Sequence, residues 1–382
     1  MTIDDVLTDE RRRQQEFPVS QTRVFLGHAA VCALPHRVAQ AMADCAFGGT
    51  REDQESFVGQ TLYQTREQAA RMLGADLREI ALVGPTSLAL SFIAAGLDFQ
   101  PGDNVICYQD DYPSNVYPWL ALQEIGVEIR YVQTESLGRI EPDDVFSIVD
   151  ERTRLVALAS CHFISGWRID LETIGSELRK RGVLFCVDAI QTVGAMPTSV
   201  EHVDFLAADS HKWMLGPCSA GIMYVRKEVQ DRMKPTTFGW HNVECPDFIT
   251  RPDIELKQDA RRYEAGTHNL IGIVGMKAAL DLLLEAGIEN IQNELLRKRA
   301  FARDNLLAKG WTVVGADSDD ANCGGMLSFH RERTNLGEIQ KILAAKNITV
   351  SLRKDRTQKS YLRISPHFYN TDEELNRLFE LL

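Results

Sequence analysis

The chain has 382 residues, 44% of them hydrophobic and 25% charged, enough for a large domain with a substantial core and a smaller one beside it. Its formal net charge of −12 argues against nucleic acid and against an anionic membrane surface, since both demand a basic face. A local basic pocket stays open, and a phosphate-bearing ligand would need one.

The first residues, MTIDDVLTDERRRQQEF, carry charge throughout and lack the apolar centre of a signal peptide. No apolar run has the length of a bilayer span. From about residue 80 the texture is short apolar strands alternating with longer amphipathic segments. The predicted strands are IALV (80–83), NVICY (104–108), EIRYV (128–132), RLVALAS (154–160), VLFCVD (183–188), DFLAA (204–208) and GIMYV (221–225). Such continuous apolar runs suit strands buried on both faces, so the fold class is α/β with a mostly parallel sheet. After residue 268, helical patterns over 269–286 and 289–308 lead into strand–strand–helix–strand–strand–helix, read as a smaller α+β domain. The expected organisation is an N-terminal arm over 1–20 packing with the small domain, a large domain over 21–284 and the small domain over 285–382.

Eight cysteines are scattered without a Cys-x-x-Cys pair, and several sit inside apolar strands, where thiols act as small hydrophobes. A reducing, cytoplasmic setting is expected. Cys161-His162 has no matching ligand pair at zinc spacing, so no metal is expected.

Ligands of open α/β sheets bind beyond the carboxyl ends of the strands. After VLFCV come Asp188 and, a turn later, Gln191; after DFLAA come Asp209-Ser210-His211-Lys212-Trp213; after IALV comes Gly84-Pro85-Thr86-Ser87. Taken singly these are ordinary cap and turn residues. Taken together they offer what an anionic aromatic aldehyde needs. The helix start at Thr86-Ser87 provides N–H groups and hydroxyls for a phosphate, Asp188 a partner for a pyridinium nitrogen, and Lys212 an amine for a Schiff base.

VDAIQTVGAMP and DFLAADSHKWMLGP, in that order, resemble the fold-type I pyridoxal-phosphate (PLP) enzymes of the class V aminotransferase group, which includes cysteine desulfurases and isopenicillin N epimerase-like proteins. The resemblance extends to FLGHAAV, GDNVICYQDDYPSNVYPW, RRYEAGTHN and SYLRISPHFYNT. It implies PLP as cofactor on Lys212, with Asp188 at the pyridine nitrogen and Gln191 at the ring oxygen. Thr86, Ser87 and His211 would hold the phosphate, and Tyr112 would lie on the ring face. Gly266 and Thr267 would reach the phosphate of a neighbouring subunit, implying a homodimer with shared sites. Arg363 would grip the α-carboxylate of an amino-acid substrate, with Arg353 nearby, and His28 and Ala30 match positions near the substrate in the epimerase-like branch.

The chain also departs from the desulfurase pattern. Tyr112 stands where desulfurases place a histidine, and Phe163 where an asparagine is common. Desulfurases carry a persulfide cysteine shortly before the carboxylate arginine, whereas ITVSLRKDRTQKSYLR (348–363) contains none. Aminotransferase is therefore the leading expectation, with a C–S lyase or epimerase lacking a protein persulfide as the alternative. Two readings from other classes are a nucleotide-binding α/β protein, disfavoured because no G-x-G-x-x-G follows an early strand, and an inactive PLP-fold binding protein, disfavoured because Lys212 is present.

Overall fold

A computed structural model describes residues 1–56 and 58–382. In chain order its strands are β1 (Val24–Phe25), β2 (Ile80–Ala81), β3 (Asn104–Cys107), β4 (Glu128–Tyr131), β5 (Thr153–Ala159), β6 (Leu184–Asp188), β7 (Phe205–Asp209) and β8 (Gly221–Val225). They continue as β9 (Thr312–Val313), β10 (Leu327–His330), β11 (Ile348–Thr349), β12 (Ser351–Lys354) and β13 (Ser360–Ile364). Each of the seven apolar runs becomes a strand of one sheet, ordered β2-β8-β7-β6-β5-β3-β4. Pairing is parallel from β7 through to β4, and antiparallel where β8 joins β7 and β2.

The reason those runs are apolar without alternation is visible in their packing. Along β6, Phe185 and Val187 belong to one buried cluster, while Leu184 and Cys186 belong to another on the opposite face. On β7 the same holds for Leu206 and Ala208 against Phe205 and Ala207. Successive side chains point to opposite faces, and both faces here are covered, so every position must be apolar.

The helices start where capping residues allow. Asp170 accepts from Thr173 N at the head of the Leu171–Lys180 helix, and Asn269 from Gly272 N at the head of Leu270–Ala286. The last helix, Asp372–Phe379, carries a full capping box between Thr371 and Glu374.

A second, four-stranded antiparallel sheet (β12-β13-β10-β9) packs with the Ile288–Ala308, Leu336–Ala345 and Asp372–Phe379 helices around a third apolar cluster. That cluster includes Val24 and Leu26, because β1 pairs in parallel with β11. The N-terminal helices contact both regions. Ile3, Val6 and Phe17 join the large core, while Arg13 pairs with Glu374 at 3.0 Å and the Phe17 ring stacks on Tyr369 at 3.9 Å. No helix among the described residues is long and apolar enough to cross a membrane.

Candidate active site

The carboxyl ends of β3, β5, β6 and β7 open into one cavity of about 300 Å³. Its lining contains Ala30, Thr86, Ser87, Tyr112, Phe163, Asp188, Gln191, His211, Lys212, Arg353 and Arg363. Residues scattered from Ala30 to Arg363 in the sequence are thus gathered at the sheet edge, as the strand-end argument requires.

At one end the Thr86–Gly96 helix begins with no side-chain cap, so its first N–H groups remain available. The Thr86 hydroxyl accepts from Asp209 N at 2.9 Å, which frees its own proton for an incoming acceptor. Gly84 is needed for this approach. A Cβ there would lie 2.8 Å from the Asp209 carboxylate and 2.8 Å from Gly221 N. His211 also faces this end, and its Nδ1 is hydrogen-bonded to Asp209 Oδ2, leaving Nε2 as the ring atom open to a ligand.

In the middle, the Lys212 amine is buried and makes no hydrogen bond among the described residues. Burial pushes it down to about 8, against the pull of Asp188; Arg363 and Arg353 push it further the same way. The Tyr112 ring centroid lies 5.2 Å from Lys212 Nζ, and Phe163 packs edge-on against that ring at 5.4 Å. Burial raises the Asp188 carboxyl, which Lys212 partly counters, and its Oδ1 accepts from Ile190 N at 3.1 Å. Gln191 is braced by neighbours: Nε2 donates to Ala29 O, and Oε1 accepts from Trp213 Nε1 at 2.8 Å. At the far end Arg363 is buried; Nη1 donates to Phe163 O, while Nε and Nη2 have no partner among the described residues.

Three expected site residues lie outside this cavity. His28 is fully buried beneath it, Nδ1 to Ser365 O at 2.9 Å and Nε2 to Tyr369 Oη at 2.8 Å, and burial lowers it to about 4. It acts there as a neutral bracket between β1 and the chain's last turns. Gly266 and Thr267 are exposed and line a separate cavity with Gly84, Ser219 and Glu264.

Two acids to which the sequence reading gave no role, Asp209 and Asp111, are part of the arrangement. Asp209 ends an otherwise apolar strand, and its distance of two residues from His211 is the signal that would have found it. Asp111 sits behind Tyr112 and accepts from Tyr112 N, Asn115 Nδ2 and Ala159 N. Burial and then the charge of Asp188 push its carboxyl up to about 7. Cys161-His162 shows no metal geometry: His162 is bonded to Ser165 Oγ and Asp110 O, and burial pushes the Cys161 thiol up to about 12.

A family model described as aminotransferase class-V matches residues 24–378. The chain is 30% identical to a probable cysteine desulfurase of Methanothermobacter thermautotrophicus, over 98% of this chain and 97% of that protein. It is 28% identical to an uncharacterized aminotransferase of Bacillus subtilis, over 96% and 95%. Among solved structures, the apo cysteine desulfurase of Thermococcus onnurineus matches with a TM-score of 0.89 at 22% identity, covering 97% of this chain and 96% of that one. A cystine C–S lyase in complex with its product cysteine persulfide matches at 0.88 and 20%, covering 95% and 98%.

Proposed function

The chain belongs to the class-V aminotransferase family of PLP-dependent enzymes, and from that premise we propose that it transaminates an amino acid held by Arg363. The observation that carries this reading is the joint presence of Lys212, Asp188 and Arg363 in one cavity whose described lining contains no cysteine. The residues fit the cofactor. An uncapped helix start with Thr86, Ser87 and His211 suits the phosphate, Asp188 the ring nitrogen and Lys212 the aldehyde. When bound, PLP supplies an electrophilic carbonyl and an electron-withdrawing ring.

The chain's own groups do the rest. Arg363 offers Nε and Nη2 as a two-point donor that orients the α-carboxylate. Lys212, with its amine near 8, is partly neutral at cellular pH and can take the proton from Cα and return it. Tyr112 and Phe163 form an aromatic wall that limits water on that side. The partner subunit of a homodimer would place Gly266 and Thr267 against the phosphate end; their exposure outside this chain's own cavity supports that reading.

The test is to incubate PLP-saturated protein with single amino acids and a keto-acid acceptor while identifying products. Formation of the keto acid with amination of the acceptor supports transamination. A cleaved fragment would move the assignment to a C–S lyase, and an inverted amino acid to an epimerase. Sulfur transfer through a protein persulfide needs a thiolate within reach of the substrate. Cys323 lies outside the cavity lining, its thiol directed to Ser318 O. Cys323→Ser is therefore expected to leave turnover unchanged within about twofold, with no persulfide mass on the protein after L-cysteine treatment.

The Asp209–His211 pair gives a second expectation. For Nε2 to donate to a phosphate while Nδ1 donates to Asp209, the ring must carry both protons, and the carboxylate compensates that charge. Asp209→Asn removes the compensation and should weaken PLP binding roughly 10-fold, the usual scale for losing charge assistance in a hydrogen bond. Pyridoxal without its phosphate should bind both proteins alike, as measured by equilibrium dialysis.

A further inference from the structure

Arg363 and Arg353 sit on neighbouring antiparallel strands, β13 and β12, where Ser351 is the residue paired with Arg363. Arg353 lies two positions along β12 from Ser351, so both arginines stand on the same face as diagonal neighbours, about 7–8 Å apart at the backbone. Both line the active-site cavity. Resting on the reading of that cavity as an amino-acid site, we propose that it recognises a second anionic group on the substrate through Arg353, which makes the substrate class the amino acids with an acidic side chain.

The donors outnumber what a single carboxylate can use. One α-carboxylate satisfies Arg363 completely, taking the Nε and Nη2 donors that have no partner among the described residues. Arg353 then remains half-buried with one hydrogen bond, a 3.3 Å contact from Nη1 to the carbonyl of its own neighbour Leu352, and it forms no ion pair among the described residues. Elsewhere the half-buried arginines Arg37, Arg130 and Arg226 each have a carboxylate within 3.1 Å. Arg168 and Arg331, which form no ion pair among the described residues, donate instead to carbonyls of distant residues. Of these arginines only Arg353 lines the active-site cavity. Leaving one unpaired inside a cavity is costly unless a ligand completes it. The charge balance agrees. Two guanidinium groups, Arg353 and Arg363, line the cavity, whose one lining carboxylate, Asp188, is assigned to the cofactor's ring nitrogen, in a chain whose net charge is −12. Burial is the main cause that holds the Arg363 guanidinium down to about 9, and the charge of Arg353 adds to it; that smaller, repulsive part is what a second anion would relieve. The phosphate end is served by a different set of groups, so the cofactor does not supply that anion.

The test uses PLP-loaded protein and acids that lack the amine, so that nothing turns over. Calorimetry compares succinate and glutarate with propionate and butyrate. We expect the diacids to bind at least about 10-fold more tightly, one charge-assisted contact's worth. Arg353→Met should erase that advantage, Arg353→Lys should keep part of it, and Arg363→Met should weaken all four acids. Equal binding of diacids and monoacids overturns the proposal, as does an Arg353→Met protein that binds all four acids more weakly but keeps the diacid preference. Absorbance changes on adding alanine or aspartate separate the two levels. If alanine perturbs the bound PLP and diacids show no advantage, only the second anion is lost. If no amino acid perturbs it and no acid binds, the amino-acid reading falls as well.

Discussion

Lys212→Ala is expected to lose about 10⁴-fold or more in kcat, the upper range for removing a positioned base, while the protein keeps its fold and a measurable affinity for PLP through the phosphate end. Borohydride should fix PLP on Lys212 in the parent protein and on no residue in the variant, as read by peptide mass spectrometry. An adduct on another lysine in the parent would move the assignment. The same residue should show itself in stability. An ordinary lysine amine sits at 10.5, and burial brings this one down to about 8 in the folded chain. The unfolded chain therefore binds more protons between those values, and the penalty for burying the charged amine is full below pH 8 and fades as pH rises through 10.5. Lys212→Met removes that penalty, so the stability of the apo variant relative to the parent should be higher at pH 7 than at pH 10.5, by about 3 kcal/mol. Urea titrations at the two pH values would measure the difference. A gain that did not change with pH would assign the effect to packing.

Glu264→Ala is expected to destabilise the protein by about 3–5 kcal/mol, the cost of leaving a buried ion pair half empty. The Glu264 carboxylate accepts from Leu82 N at 2.7 Å, from Arg66 Nε at 3.3 Å and from His268 Nε2 at 2.8 Å, with Arg66 Nη2 closer still. Burial raises this carboxyl, but the His268 hydrogen bond and the Arg66 charge outweigh it and hold it below the usual range. A depressed carboxyl stabilises above its unfolded value of 4.5, and that stability is lost as pH falls through the lower folded value. The parent should thus lose more stability than Glu264→Ala between pH 5 and strong acid. Arg66→Met with Glu264→Leu should cost less than the sum of the single changes, because no charge is left unpaired. Additive costs in urea melts would mean that the two side chains do not act as a pair. His241, Glu264 and His268 are close enough to suggest a metal site, yet Arg66 occupies the carboxylate, so chelators should leave the melt unchanged.

Much of this was legible in the chain because both faces of the large sheet are covered. A strand such as LFCVD has no polar position to disguise it, and the chemistry must then fall just beyond its end, at Asp188. The Lys212 loop was readable for the same reason. What escaped notice were pairings between distant segments. Glu264 meets Arg66 across 198 positions, and no local pattern marks either residue. His28 stands three residues after β1 in a stretch that does line the cavity at Ala30, yet it turns under the cavity because Ser365 and Tyr369 supply both of its hydrogen bonds. Arg353 was visible as a charged residue near Arg363; its lack of a partner became apparent only with the fold.

The pairing of β1 with β11 bears on how the molecule is made. Val24 finds its register partner in Ile348, and Phe25 in Thr349. A ribosome adding 5–20 residues per second emits those partners roughly 15–65 s after β1 has left the tunnel. Before that interval ends the seven strands of the large sheet have all been made, while Val24 and Leu26, destined for the third cluster, still lack the β11 strand they pair with. The nascent chain thus carries an unclaimed two-residue edge at its leading end during most of its synthesis.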